Sequence, residues 1–298
     1  MPVTDTERRP AAPHLRAGSR DRALYRRRAA RILIQVLLVA AALVALYPLI
    51  FMVSGSFKRV SELTSLPPTL IPRAFDSGGY EQLATTGFPR WFANSIVVTG
   101  LRVCLTILVS SMAAFAFAVY RFPFRRTLFI VVVGSLLLPF EVLYLPLLSL
   151  MIDLDWMNTY QALILPFVAS GFSVFVIHQY MVGLPSELIQ AARVDGASEW
   201  RIYWSVAMPL SRPILGAISV ILFIQTWNSF FWPLIVLQDT DLFVLPVGLT
   251  ALLARVFHEQ DMWTAVLAGS TLMTIPMVIV FLVMQRQLVA GLTEGFKA

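Results

Sequence analysis

The chain is written as long apolar runs separated by short polar connections. Six runs reach the roughly 20 residues that a helix rising about 1.5 Å per residue needs to cross about 30 Å of hydrocarbon. They cover 32–53, 95–120, 128–152, 161–182, 214–237 and 263–284. Lipid offers no partners to backbone N–H and C=O groups, so each run is predicted to be helical. The expectation is an all-α integral membrane protein, with six transmembrane helices in residues 32–285. A polar tail over 1–31 precedes them and a short tail over 286–298 follows.

Composition agrees with the pattern. Hydrophobic residues make up 58% of the 298 positions and charged residues 13%, where soluble domains carry about 25% charged residues. That balance excludes a soluble enzyme, a disordered chain and a disulfide scaffold, and the single Cys104 has no internal partner. The net charge is +6. Basic excess elsewhere signals nucleic acid, but here the cations crowd the ends of apolar runs, so no nucleic-acid partner is expected.

Those cations also orient the chain. With the N-terminus in the cytoplasm, seventeen of the 23 basic residues fall inside, nine of them before Ile32, and five fall outside. The positive-inside rule then places both ends in the cytoplasm. The Arg-rich tail reads as an uncleaved, disordered segment that either stays solvated or rests on anionic membrane lipid. The outer segment from Ser54 to Ala93, broken by Pro67, Pro68, Pro72, Gly78 and Gly79, reads as a cap over the outer mouth or as a surface for a delivering protein.

The connection over 183–213 has more organisation than a link between neighbouring spans requires. Pro185 and Ser186 open a helix, with the Ser186 hydroxyl able to cap it and Glu187 facing the positive end of its dipole. Gly196 is a natural stop. A second helix starts at Ser198 and is expected to end before Pro209, with Trp200, Tyr203, Trp204 and Ala207 on one apolar face. Ala191 and Ala192 allow close approach, and Glu187, Gln190, Arg193 and Asp195 edge them with polar groups. Such a helix suits a socket on another protein; a linker lying on lipid headgroups is the alternative.

This segment resembles the EAA motif of ABC importer permeases, a cytoplasmic loop reading Glu-Ala-Ala, three residues, Gly, nine residues, Ile-x-Leu-Pro. Here Gln190-Ala191-Ala192 is followed at the same spacing by Gly196 and by Val206-Ala207-Met208-Pro209. Gln190 replaces the leading Glu and can only hydrogen-bond where a carboxylate would pair, which shifts electrostatic weight to Glu187. Further matches to carbohydrate-type permeases are Phe92-Ala93-Asn94-Ser95, Tyr120-Arg121-Phe122 with Arg125-Arg126, and Asn158-Thr159-Tyr160. Trp227-Asn228, Trp232-Pro233 and Gly291-Leu292-Thr293-Glu294-Gly295 complete them.

The resemblance implies a non-catalytic permease subunit in a prokaryotic cell membrane, serving a carbohydrate or a related polyol or glycerol-phosphate solute. It implies four partners: a second homologous permease subunit, two cytoplasmic ATPase subunits and an extracytoplasmic solute-binding protein. ATP and Mg belong to the ATPase, and no cofactor is expected on this chain. The first loop helix becomes the coupling helix, carried by Glu187, Gln190, Ala191, Ala192, Asp195 and Gly196.

Polar groups within spans cost about 2.5–3.5 kcal/mol each when charged, so each asks for a role. Glu141, between Pro139 and Pro146, is a candidate contact for solute hydroxyls or a structural acid. Gln225, Trp227, Asn228 and Phe231 form a second candidate patch, suited to solute or to helix packing. Arg102 reads as a packing or snorkelling residue, and His14, His178 and His258 lack metal-ligand spacing. An intrinsic P-loop is excluded because Lys58 and Lys297 each follow phenylalanine. The competing classes are an ion-coupled secondary transporter, for which one Glu and one Arg are thin provision, and a permease for a non-sugar solute.

Overall fold

A computed structural model describes residues 17–294 apart from 66, 68 and 260, with side chains described at 28 and from 31 to 285 outside those gaps. The elements are helices throughout: α1 Ala17–Gly55, α2 Gly78–Ala84, α3 Phe88–Val119, α4 Arg125–Leu137, α5 Phe140–Asp153, α6 Tyr160–Phe167 and α7 Gly171–Val182. They continue as α8 Ser186–Val194, α9 Glu199–Leu210, α10 Arg212–Trp227, α11 Phe231–Val236, α12 Leu245–Val256 and α13 Met262–Glu294. By length and composition α1, α3 and α13 each suffice to cross a membrane, and there are up to six crossings if each bent pair is one span.

The described residues divide into two compact units, the first ending at Met52 and the second starting at Val53. In the first, α1 begins well ahead of its apolar run. Residues 17–31, expected to be disordered, continue the helix, because Ala and Arg are among the better helix formers; residues 1–16 lie outside the described residues. From Arg31 to Ile50 every described side chain is exposed.

In the second unit, three of the apolar runs are broken, each at a readable cause. The run over 128–152 becomes α4 and α5, bent by 104°. Leu138 precedes Pro139 and is driven to extended backbone, φ −85° and ψ 116°. The run over 161–182 bends by 41° between α6 and α7, where Pro166 tightens the end of α6 and the Ser170 hydroxyl caps α7 by accepting from the Ser173 N–H at 3.2 Å. The run over 214–237 stops at Trp227 and restarts at Phe231, since Pro233 can neither donate to nor sterically tolerate a helical carbonyl at Ser229. Pro276 lies within the single helix α13.

Helix α12 lies in a stretch expected to be plain connection. It buries Leu245, Val247, Gly248, Leu252 and Val256, and packs against α3 and α13. Its Gly248 is required by close approach, because a Cβ there would fall 2.2 Å from the Trp91 ring. Trp91 is pinned in turn, its Nε1 donating to the Thr240 carbonyl at 2.7 Å.

The core is centred on α3, which packs against α7 and α10. It also buries the hydroxyl-bearing Ser95, Thr99, Thr106, Ser110 and Ser111, small enough for close helix approach. The short segments at the start of α3 are tied by side-chain amides. Asn94 donates from Nδ2 to the carbonyls of Asp241 and Phe243 at 2.8 and 2.9 Å and accepts from the Tyr160 hydroxyl at 2.8 Å. Asn158, at φ 59°, accepts from the backbone N–H of Gln238 and Asp239. The segment over 54–87 is also structured: Glu62 accepts from the Thr69 hydroxyl at 2.8 Å and the Arg73 N–H at 3.0 Å, and α2 packs on α13.

Candidate functional site

Helix α8 is closed at its far end by a full set of backbone bonds. Gly196 takes φ +79°, its N–H donates to the Arg193 carbonyl, and the Ala197 N–H donates to the Ala192 carbonyl, both at 3.0 Å. These are the paired bonds of a Schellman cap, with Ala192 and Ala197 half-buried beside the same core. Nothing lies within 4 Å of a Cβ at Gly196, so the glycine is required by backbone angle alone. At the near end Pro185 occupies the N-cap position and Ser186 the first helical turn, with no side-chain cap. The Ser186 cap is therefore corrected: proline at that position fixes the entry angle without a hydroxyl. Glu187 in the first turn and Arg193 in the last both favour the helix dipole.

One side of α8 faces the protein and the other does not. Ile189 is buried in a cluster with Ala114 and Phe115 of α3, Ile177 and Met181 of α7, Tyr203 of α9 and Ile218 of α10, and Ala192 is half-buried against it. Glu187, Gln190, Ala191, Asp195 and Gly196 are exposed. Leu188 and Val194, which sequence reasoning did not select, are exposed as well, Val194 at 87%. Five of the six residues carried over from the EAA motif thus share an outward surface of small, acidic, amide and apolar groups.

The turn after α8 is locked by charge. Arg193 donates from Nε and Nη2 to both carboxylate oxygens of Glu199, at 2.7 and 3.0 Å, and the Tyr120 hydroxyl at the end of α3 donates to Glu199 Oε2 at 2.8 Å. The Arg193 bond holds the Glu199 carboxyl below its usual range, partial burial opposes this, and the Tyr120 bond adds to the lowering. Sequence reasoning did not find this three-residue link. Its signal was an Arg and a Glu on either side of the Gly196 turn.

Helix α9 starts as predicted, the Ser198 hydroxyl accepting from the Arg201 N–H at 3.3 Å. It does not end before Pro209. A π turn at Tyr203–Ala207 leads into Met208–Leu210, and this wider turn absorbs the N–H that Pro209 lacks. The expected apolar face divides. Tyr203 and Ala207 are buried, the Tyr203 hydroxyl bonding Ser111 Oγ at 2.7 Å, while Trp200 and Trp204 remain exposed.

The membrane candidates separate in the same way. Glu141 is exposed in the first turn of α5, just past the 104° bend. Gln225, Asn228 and Phe231 are exposed around the break between α10 and α11. Trp227 is not with them: it is 1% exposed, stacks on Phe223 at 5.5 Å, and donates from Nε1 to the Met273 carbonyl at 3.0 Å. Asn228 caps α10, its Nδ2 donating to the Ile224 carbonyl at 2.8 Å. Arg102 lies 3.8 Å above the Phe167 ring. Among the described residues no three of His, Cys, Asp and Glu converge.

Long and bent apolar helices, the hydroxyl-bearing α3 at the centre of their core, are those of a multi-pass membrane protein. Residues 106–294 match the family described as binding-protein-dependent transport system inner membrane component, and the chain belongs to this family of ABC importer permease subunits. The arabinooligosaccharides transport system permease protein AraQ of Halalkalibacterium halodurans is 40% identical over 258 residues, 85% of this chain and 91% of the relative. The sn-glycerol-3-phosphate transport system permease protein UgpE of Pectobacterium atrosepticum is 34% identical over 278 residues, 91% and 99% of the two chains. The crystal structure of a bacterial ABC transporter involved in import of the acidic polysaccharide alginate superposes with a TM-score of 0.80 at 26% identity, covering 87% of this chain and 96% of that one.

Proposed function

We propose that this permease subunit forms half of the path for a carbohydrate, or a related polyol or glycerol phosphate, and that α8 is the helix through which an ATPase drives it. Both chain ends and α8 face the cytoplasm in this reading, in keeping with the bias of basic residues. A second homologous permease completes the path, two ATPase subunits hold ATP and Mg, and an extracytoplasmic protein delivers solute. This chain supplies no catalytic group. The solute class is supported by relatives that carry arabinooligosaccharides and sn-glycerol-3-phosphate.

The observation that carries the proposal is the two-sidedness of α8. Its outer face, with Glu187, Gln190, Ala191 and Asp195, is free to seat in a partner, while Ile189 and the Arg193–Glu199–Tyr120 link join it to α3, α7 and α10. A push on α8 therefore reaches the bundle without an intervening flexible segment, and ATP-driven closure of the ATPase pair biases a two-state path. Ala192, half-buried, supports the face from beneath, and Gly196 fixes its length. Glu141, Gln225, Asn228 and Phe231 stand at helix breaks, where irregular backbone lines cavities in membrane proteins, and we assign them to the path. Trp227 supports that patch from the core.

The test is reconstitution in vesicles with the three partner types, reading solute-stimulated ATP hydrolysis and uptake. Ala192→Asp is expected to insert normally and to lose stimulation. Full stimulation in that variant, or uphill uptake that survives ATP depletion and collapses with an uncoupler, overturns the reading.

A further inference from the structure

A cleft of about 530 Å³ opens between the end of α3, the start of α4 and the last turns of α7, lined by Phe122, Phe124, Arg125, Arg126, Phe129 and His178. None of these residues takes part in the loop or the path described above. Arg125 and Arg126 are the first two residues of α4, where the helix dipole is positive and cations are unfavourable. Phe124 caps that helix in the left-handed conformation at φ 60° with no side-chain bond, and the first turn holds no acid. Neither arginine makes an ion pair among the described residues, and Arg121 adds a third cation nearby.

The remaining lining is aromatic. Phe129 packs at a tilt against His178 at 4.3 Å and edge-on against Phe117 at 5.4 Å, and Phe117 meets Phe122 at 5.8 Å. Beside the cleft, α4 exposes Leu128, Ile130 and Val131, and Phe124 is 78% exposed. The cations therefore sit at the boundary of an apolar surface, two guanidinium groups and a helix N-terminus lining one cleft.

We propose that this cleft binds one anionic phospholipid. The phosphodiester is held by Arg125, Arg126 and the first N–H groups of α4, and the upper acyl segments lie along Phe124, Leu128 and Val131. An anion there satisfies both guanidinium groups, whose forks match phosphate oxygens, and reverses the unfavourable charge at the helix start. A soluble phosphate would answer the charge but leave the apolar rim uncovered; a lipid answers both. The basic-residue bias puts this end of the spans on the cytoplasmic leaflet, where anionic headgroups attract basic clusters.

The test uses the assembled importer, reconstituted in phosphatidylcholine vesicles with or without phosphatidylglycerol, re-extracted in mild detergent and weighed by native mass spectrometry. The wild type is expected to retain phosphatidylglycerol in preference to phosphatidylcholine, and excess inorganic phosphate in the wash is expected not to displace it. R125Q/R126Q is expected to retain about thirtyfold less, each cation contributing about fivefold at an anionic surface, while R121Q retains it. Equal retention of the two lipids by the wild type overturns the proposal without any variant. So does unchanged retention in R125Q/R126Q, replacement of lipid by phosphate, or loss of a protein subunit from that variant with its lipid still bound.

Discussion

Replacing Gly196 isolates the backbone contribution to the α8 cap. The residue sits at φ +79° and a side chain there would meet nothing within 4 Å, so Gly196→Ala introduces no clash and removes no contact. What remains is the left-handed conformation, which costs an L-residue about 1–2 kcal/mol, or roughly five- to thirtyfold in the population of the capped loop. Gly196→Asn falls below that range, since asparagine visits this region more readily. Gly196→Pro is different in kind. It fixes φ near −65° and deletes the N–H that donates to the Arg193 carbonyl, at about 3 kcal/mol or more, which exceeds a hundredfold. Solute-stimulated ATP hydrolysis in the reconstituted importer is expected to fall in the order Gly, Asn, Ala, Pro, with insertion and basal hydrolysis unchanged. Full stimulation with proline would refute the role of the cap. An alanine loss as deep as that of proline would show that the Gly196 surface itself touches the ATPase, and would refute the backbone account.

Other perturbations follow from other parts of the molecule. Glu199 has a folded pKa below its ordinary 4.5, so its contribution is complete above that pH and is lost on acidification through the folded value. The protection factors of amides over 186–199, with the intrinsic pH dependence of exchange divided out, are expected to be flat from neutral pH down to about 4.5 and to fall below it, and Glu199→Gln is expected to remove the transition. Gly248→Ala forces a methyl into the Trp91 ring and is expected to destabilise by about 1–3 kcal/mol; an unchanged Tm in detergent would contradict the packing. Trp227→Phe keeps the stack on Phe223 but loses the bond to Met273, at about 1 kcal/mol, with solute selectivity unchanged. Glu141→Gln is expected to raise KM for solute while leaving basal ATP hydrolysis as it was, and an unaltered KM would remove Glu141 from the path.

The apolar helices and the two loop helices were legible because they depend on local chemistry: apolar length for the first, and Pro185, Gly196 and Ser198 for the second. The breaks were less so. Pro139, Pro166 and Pro233 were visible, but a hydropathy run averages across them, and only tertiary packing decides whether a proline ends a helix or, like Pro276, lies within one. Helix α12 was missed because its 12 residues are too short to register as a span. Its evidence is a partner, the Trp91 ring over Gly248, which no local window contains. In the sequence Asn94 and Asn158 stand out only as points of resemblance. Their physical reason is non-local, since each satisfies backbone groups roughly 80 to 150 positions away. Trp227 and Asn228 are adjacent in sequence yet face a core and an exposed break, a division that residue type could not announce.

The cap on α8 separates two properties that usually change together. Its length and direction are held by main-chain bonds and by one residue without a side chain, whereas the groups it displays are side chains with no structural duty on that face. On the proposed coupling role, substitutions such as Gln190 for a carboxylate alter what the helix displays while its reach stays constant. If the proposed coupling holds, fitting a different ATPase requires only surface substitutions on this helix, with its backbone cap left untouched.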